Sequence, residues 1–238
     1  GNASTCTSTV TVMDTVSPVA VCQDLTVYLD GSGAASVSAA MVDNGSADAC
    51  GLDTMYLDEY DFDCSEVGSG NTVSLTVWDN NGNVSTCTST ITVMDTVSPA
   101  AVCQDITVYL DSSGLASIVT ADVDGGSSDN CDIDTMYIDQ YDFDCSHTGA
   151  NPVTLTVEDV NGNASTCTAT VTVMDTILPA AVCQSVVVQL DANGEASINT
   201  SMIDNGSSDE CGIASMTLDN TDFDCSDVGF NIVTLTVV

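Results

Sequence analysis

The chain has 238 residues, of which 35 are acidic, none is Lys or Arg and one is His. A net charge of −35 leaves no basic surface for nucleic acid or anionic lipid, and no stretch reaches the roughly 20 apolar residues of a membrane helix. A hydrophobic content of 44% separates the chain from disordered acidic tails, so burial and bound cations have to offset its self-repulsion.

Residues 2–13 read as a strand carrying Cys6, and they run into V-T-V-M-D-T at 10–15, a signature that returns as I-T-V-M-D-T at 91–96 and unchanged at 171–176. The cysteines return with it, so the chain is an array of repeats, each of about 80 residues. The boundaries read as 1–14, the last strand of a preceding or neighbouring-chain repeat; 15–95, repeat 1; 96–175, repeat 2; and 176–238, repeat 3 lacking its last strand. Within repeat 1, Leu25, Val27 and Leu29 alternate with Thr26 and Tyr28 in a half-buried strand over 20–30. Gly31-Ser32-Gly33 turns into a weaker strand over 34–41, and a polar loop fills 43–51. Met55–Leu57 lies in a third strand, and 60–64 forms a fourth with Phe62 inward and Asp61 and Asp63 outward. After a turn at 68–71, residues 72–78 point Val73, Leu75 and Val77 inward. Asp79–Asn83 turns the chain into a last strand over 84–94, with Cys87, Ile91 and Val93 inward. No convincing period of 3.6 appears. Six or seven short strands in each repeat predict an all-β tandem array of disulfide-stapled immunoglobulin-like antiparallel sandwiches.

Twelve cysteines at repeating spacings read as disulfides formed in an oxidising, extracellular setting. Four per repeat allow three connectivities. The favoured one joins Cys22 to Cys87 and Cys103 to Cys167, the first strand to the last. It adds the short-loop pairs Cys50–Cys64, Cys131–Cys145 and Cys211–Cys225. Because Cys22 is out of phase with Leu25, the first strand needs a bulge or a change of sheet. Cys6 and Cys183 are left for an inter-chain or inter-repeat bond. Either the chain is a window on a longer repeat protein, or the surplus strand at its start completes the sandwich at the end of another copy, head to tail.

The run Val153–Val157, Asp159, Asn161-Gly162-Asn163, Ser165-Thr166-Cys167 and Val171-Thr172-Val173-Met174-Asp175 resembles the second half of hyalin-repeat (HYR) domains, and Gly126–Cys131 resembles their middle loop. The resemblance spans the chain and recurs in each repeat. It implies immunoglobulin-like modules of the kind found in large Bacteroidota surface proteins, including SprB-type gliding adhesins. It implies O-glycosylation as well, since Asp-Thr followed by an apolar residue places candidate acceptors at Thr15, Thr54, Thr96, Thr135 and Thr176. Asn-x-Ser sequons at Asn2, Asn44, Asn83, Asn163, Asn199 and Asn205 need separate machinery.

Calcium is the expected cofactor. At one end of such a sandwich the start of the first strand, the second-to-third-strand loop and the last hairpin turn converge. Those segments carry Asp14, Asp43, Asp48, Asp79 and Asn81; then Asp95, Asp124, Asp129, Asp159 and Asn161; then Asp175, Asp204 and Asp209. Carboxylate and amide oxygens supply the roughly 6–8 ligands of calcium, while Asp and Asn also simply form good turns. His147 stands where the other repeats have Glu66 and Asp227, which reads as a loop position rather than a catalytic one. The expected function is non-enzymatic: a structural segment of an extracellular filament or adhesin stalk, with copies of itself or flanking repeats as partners. The alternative is a cell-surface adhesin module that binds glycans or surfaces through its loops.

Overall fold

The computed structural model describes residues 1–68 and 70–238. Repeat 1 forms β1 (Leu25–Tyr28), β2 (Ala34–Ser36), the one-turn helix α1 (Ala39–Val42), β3 (Leu52–Leu57), β4 (Asp61–Asp63), β5 (Gly70–Asp79) and β6 (Val84–Met94). One sheet has the order β1-β6-β5-β3, with β1 parallel to β6, and the opposing sheet pairs β2 with β4. A first strand laid parallel on the last, beside an antiparallel hairpin, is the immunoglobulin-type arrangement. The order recurs as β7-β12-β11-β9 and β8-β10, formed by β7 (Ile106–Tyr109), β8 (Leu115–Ser117), β9 (Ile133–Ile138), β10 (Asp142–Asp144), β11 (Gly149–Asp159) and β12 (Ala164–Met174), with α2 (Thr120–Val123) after β8. Repeat 3 keeps β13 (Ala196–Ser197), α3 (Thr200–Ile203), β14 (Met216–Leu218), β15 (Asp222–Phe223) and β16 (Leu235–Val237).

The chain divides into two compact units, and these do not follow the sequence repeats. Residues 1–100 gather 127–135 and 157–165 into the first unit; the second holds 101–126, 136–156 and 166–238. The first unit therefore contains the third cysteine of repeat 2, Cys131, packed against its own core.

The period-2 pattern sets the core. Val73, Leu75, Val77, Ile91 and Val93 are fully buried, and Phe62 and Val42 close the core from the opposite side. Leu75 sits mid-strand between Leu57 and Cys87. We predict that Leu75→Ala costs about 3 kcal/mol, whereas the exposed Thr88→Ala stays within about 0.5 kcal/mol. Urea unfolding followed through Trp78, the single tryptophan of the chain, checks both.

Several elements differ from the sequence reading. The strand expected over 34–41 stops at Ser36, and residues 39–42 make one helical turn whose Val42 plugs the core. Four residues are too few to show a helical period. Cys22 makes a bridge to Asp43 while β1 pairs with β6, which is the change of sheet that its phase demands. Residues 2–13 form no strand. They lie exposed, because a strand needs a neighbour for its backbone groups and the chain offers them none.

Candidate calcium centre and disulfide frame

Each repeat spends its Asp residues locally before any ligand is considered. Asp63, Asp144 and Asp224 cap the 3-10 turns that begin at Cys64, Cys145 and Cys225; each accepts the hydroxyl and the backbone N–H of the serine two residues on, the hydroxyl at 2.6 Å. The third residue of the turn answers by accepting the cap's own N–H: Glu66 at 2.8 Å, Asp227 at 2.9 Å and His147 through Nδ1 at 3.2 Å. His147 thus takes the carboxylate's place in the turn, its Nδ1 also 2.9 Å from Asp144 Oδ1, so that it either accepts from the cap's N–H or donates to the cap's carboxylate according to its tautomer, and its ring lies edge-on to Phe143.

The serine hydroxyl, then the serine N–H, holds the Asp63 carboxyl below its ordinary value, and the same holds at Asp224. A folded-state pKa below the unfolded one gives stability that is present above the unfolded value. That stability is lost as pH falls through the folded value. The turn should therefore hold at neutral pH and weaken only below about pH 4. In a carboxyl-resolved NMR titration, Asp63 should titrate below 3.8 and move up toward 3.8 in Ser65→Ala. An unchanged midpoint in the variant would remove the serine from the account.

The acidic residues that converge are Asp95, Asp129 and Asp159. Their carboxylate oxygens lie within 4.8 Å of one another, and Asp95 and Asp159 are 6% and 3% exposed. Asp159 is fixed by its own hairpin, accepting the N–H groups of Asn161 and Asn163 at 2.8 Å and the Asn163 amide at 2.8 Å. Asp95 accepts the side-chain amides of Asn161 at 3.0 Å and Asn130 at 3.3 Å. Two oxygens beside them, Asp129 Oδ1 and Asn130 Oδ1, are buried without a hydrogen-bond partner. Three carboxylates, one of them with an orphaned oxygen, the orphaned amide oxygen of Asn130 and a chain without Lys or Arg fit a hard divalent cation.

Not every expected ligand joins this cluster. Asp43 and Asp204 hold their own loops, accepting from Ser46 and Gly45, and from Ser207 and Gly206. Asp124 occupies the same position, bridged to Cys103. In repeat 1 the grouped residues are Asp14, Asp48 and Cys50, with Asp79 and Asn81 in the hairpin turn nearby. The Asp14 carboxylate, by hydrogen bond and then by charge, pushes the Cys50 thiol up. In repeat 3 the group is Asp175, Asp209 and Cys211, whose sulfur is already committed to a disulfide. The five candidate acceptors Thr15, Thr54, Thr96, Thr135 and Thr176 are all exposed.

Four disulfides form. Cys22–Cys87 and Cys103–Cys167 are the first-to-last-strand pairs of the sequence reading. The short-loop pairs Cys50–Cys64, Cys131–Cys145 and Cys211–Cys225 do not form; instead Cys64 joins Cys131 and Cys145 joins Cys211, each linking successive repeats. Geometry explains the correction. Cys50 lies by the 79–83 turn, its carbonyl accepting from Asn80, whereas the turn starting at Cys64 ends where Gly68 bonds Val93. These are opposite ends of β5, about 30 Å apart, far beyond the roughly 7 Å Cα separation a disulfide tolerates. Among the described residues Cys6, Cys50, Cys183 and Cys225 are unpaired and exposed.

No protein-family model and no curated protein matches the chain. Among solved structures it is similar to cadherin domains 1–5 of protocadherin Gamma B2 (16% identity, TM-score 0.33), with 86% of this chain and 49% of that one covered, so the chain spans about half its length. It is also similar to domains 1–2 of human mucin-like protocadherin (14% identity, TM-score 0.34, 67% and 98% covered) and to the I67–I69 fragment of titin (10% identity, TM-score 0.33, 91% and 92% covered).

Proposed function

We propose that the chain is a tension-bearing segment of an extracellular filament or adhesin stalk, its beads continued head-to-tail by copies of itself or by flanking repeats. The observation that carries this reading is the overlap of the disulfide loops. Cys22–Cys87 encloses Cys64, Cys64–Cys131 encloses Cys87 and Cys103, and Cys145–Cys211 encloses Cys167. Every loop is locked through the next, so pulling the ends draws out only the short stretches between crosslinks. Such bonds persist in an oxidising extracellular compartment, and among the described residues no helix is long and apolar enough to cross a membrane. Calcium at Asp95, Asp129 and Asp159 would stiffen the frame further, and the exposed threonines are open to glycans. Stretching single molecules between handles outside Cys22 and Cys211, with and without reductant, tests the reading. A chain that extends equally in both conditions is not a tension-bearing element.

A further inference from the structure

Residues 129–131 belong at once to the acidic centre and to the bond that joins repeats 1 and 2. Asp129 brings a carboxylate oxygen to the cluster with Asp95 and Asp159, and its Oδ2 accepts the N–H of Cys131 at 2.8 Å. Asn130 lies between the two features. Its side-chain amide donates to Asp95 Oδ1 at 3.3 Å and to the Asp30 carbonyl at 3.2 Å, and it reaches Cys131 Sγ at 3.5 Å. Its own carbonyl oxygen stands 3.3 Å from Cys64 Sγ. Cys131 is 5% exposed and packs in the core of repeat 1 through its bond to Cys64.

The segment does not hold this shape by itself. Asp132 follows Cys131 at φ +87°, the one left-handed non-glycine among the described residues, where repeats 1 and 3 place Gly51 and Gly212. A residue in that region persists only where its surroundings fix it. The floor beneath is tight: a Cβ on Gly33 would meet the Asn130 carbonyl oxygen and Cys64 Sγ, each at 2.8 Å. The charges act in the opposite sense. Asp95 and Asp159 are 6% and 3% exposed, and beside them Asp129 Oδ1 and Asn130 Oδ1 are buried with no hydrogen-bond partner. Like charges at this distance repel, and an unpartnered buried oxygen is costly, so without a cation the segment is driven away from Asp95. The Cys64–Cys131 bond holds it in place.

We propose that the bond and the cation are coupled: Cys64–Cys131 presets the calcium site, and calcium held by Asp95, Asp129, Asp159 and the Asn130 amide oxygen resists the opening of Cys64–Cys131. The proposal rests on the calcium reading and names what regulates that site. Asn130 is peculiar to this junction, since Ala49 and Glu210 stand at its place in the other repeats. Coupling between two sites is reciprocal, so bond and cation strengthen each other by one factor, here about tenfold. An extracellular compartment supplies oxidant and calcium together, and the junction is then latched twice. Opening the bond consumes two small-molecule thiols. One thiolate attacks a protein sulfur and releases the other, which takes up a proton; the second thiolate attacks the mixed disulfide, so the second protein thiol and one small disulfide leave.

The test titrates the unaltered chain against mixtures of reduced and oxidised glutathione, with thiols trapped and each bond followed by peptide mass. In saturating calcium, compared with sodium at equal ionic strength, the ratio of squared reduced to oxidised glutathione that half-opens Cys64–Cys131 should rise about tenfold. Cys103–Cys167 in the same sample should keep its midpoint, and Asp129→Asn should abolish the shift at Cys64–Cys131. By reciprocity, the Asp129-dependent calcium binding read by calorimetry should be about tenfold weaker in Cys64→Ser with Cys131→Ser. The redox titration leaves both cysteines in place, so it decides even where that double variant fails to fold. Asp129-dependent calcium binding with an unmoved Cys64–Cys131 midpoint, a shift shared by Cys103–Cys167, or an unchanged affinity in a folded double variant would overturn the coupling and leave the calcium reading standing. An unaltered chain with no Asp129-dependent calcium binding would remove both.

Discussion

Stretched between Cys22 and Cys211, the oxidised chain should stop extending at about 130 Å, and the reduced chain at about 660 Å. Along the backbone the two cysteines are about 190 residues apart, at roughly 3.5 Å per extended residue. The shortest covalent route crosses from Cys22 to Cys87, runs back to Cys64, crosses to Cys131, runs on to Cys145 and crosses to Cys211, and it leaves only about 37 residues to extend. A second route crosses from Cys22 to Cys87, runs on to Cys103, crosses to Cys167, runs back to Cys145 and crosses to Cys211, and it is longer by about one residue. The two middle bonds are therefore redundant for reach. Cys64→Ser with Cys131→Ser should leave the limit nearly unchanged while lowering stability by about 4 kcal/mol, on the chain-entropy estimate for a loop of this size. Removing both middle bonds should raise the limit to about 58 residues, or about 200 Å. An oxidised chain that extends past the predicted limit without a bond breaking would sink the frame described here.

The redundancy arises from joining cysteines of successive repeats, and this is what the sequence concealed. Periodicity shows that Cys64 and Cys131 occupy fixed places in every unit, but it does not show which unit supplies the partner. The stretch between Cys50 and Cys64 looks like a small loop until β5 sets its two ends at opposite poles of the sandwich. The strands themselves were legible. Residues 84–94 form β6 over that same range because alternation along a half-buried strand is unambiguous. The turn at 39–42 was not, since one helical turn leaves no period to read.

The acidic centre was partly legible for a related reason. Asp95, Asp129 and Asp159 meet because three connections end at one pole of a sandwich, which topology alone implies. Asp43 and Asp204 looked equivalent on paper, yet each sits one residue past a helical turn and folds back on its own loop. An Asp that only makes a turn and an Asp brought into a cluster share the same residue type, and only the tertiary placement of their carboxylates separates them. The signal that sequence could not carry is the pair of orphaned oxygens on Asp129 and Asn130.

Calcium should raise the thermal midpoint of the first unit by about 5–10 °C when present at about 10 mM. That follows from a dissociation constant of about 10⁻⁴–10⁻³ M, usual for extracellular modules, which gives about 2 kcal/mol of linkage. Screening of a −35 chain is the competing cause, and it predicts a different pattern. Sodium at equal ionic strength should then do the same, and no single carboxylate should matter. Site binding predicts that Asp129→Asn abolishes the calcium increment. In calcium-free buffer the variant should keep or raise the midpoint, because one of three crowded carboxylates has lost its charge. Asp53→Asn, an exposed position on β3 outside the cluster, should keep the full increment. Calorimetric scans of the three proteins in calcium, sodium and chelator separate the two causes. An Asp129→Asn protein that still gains the full increment would leave the cluster as a turn-forming device and assign the cation effect to the surface charge.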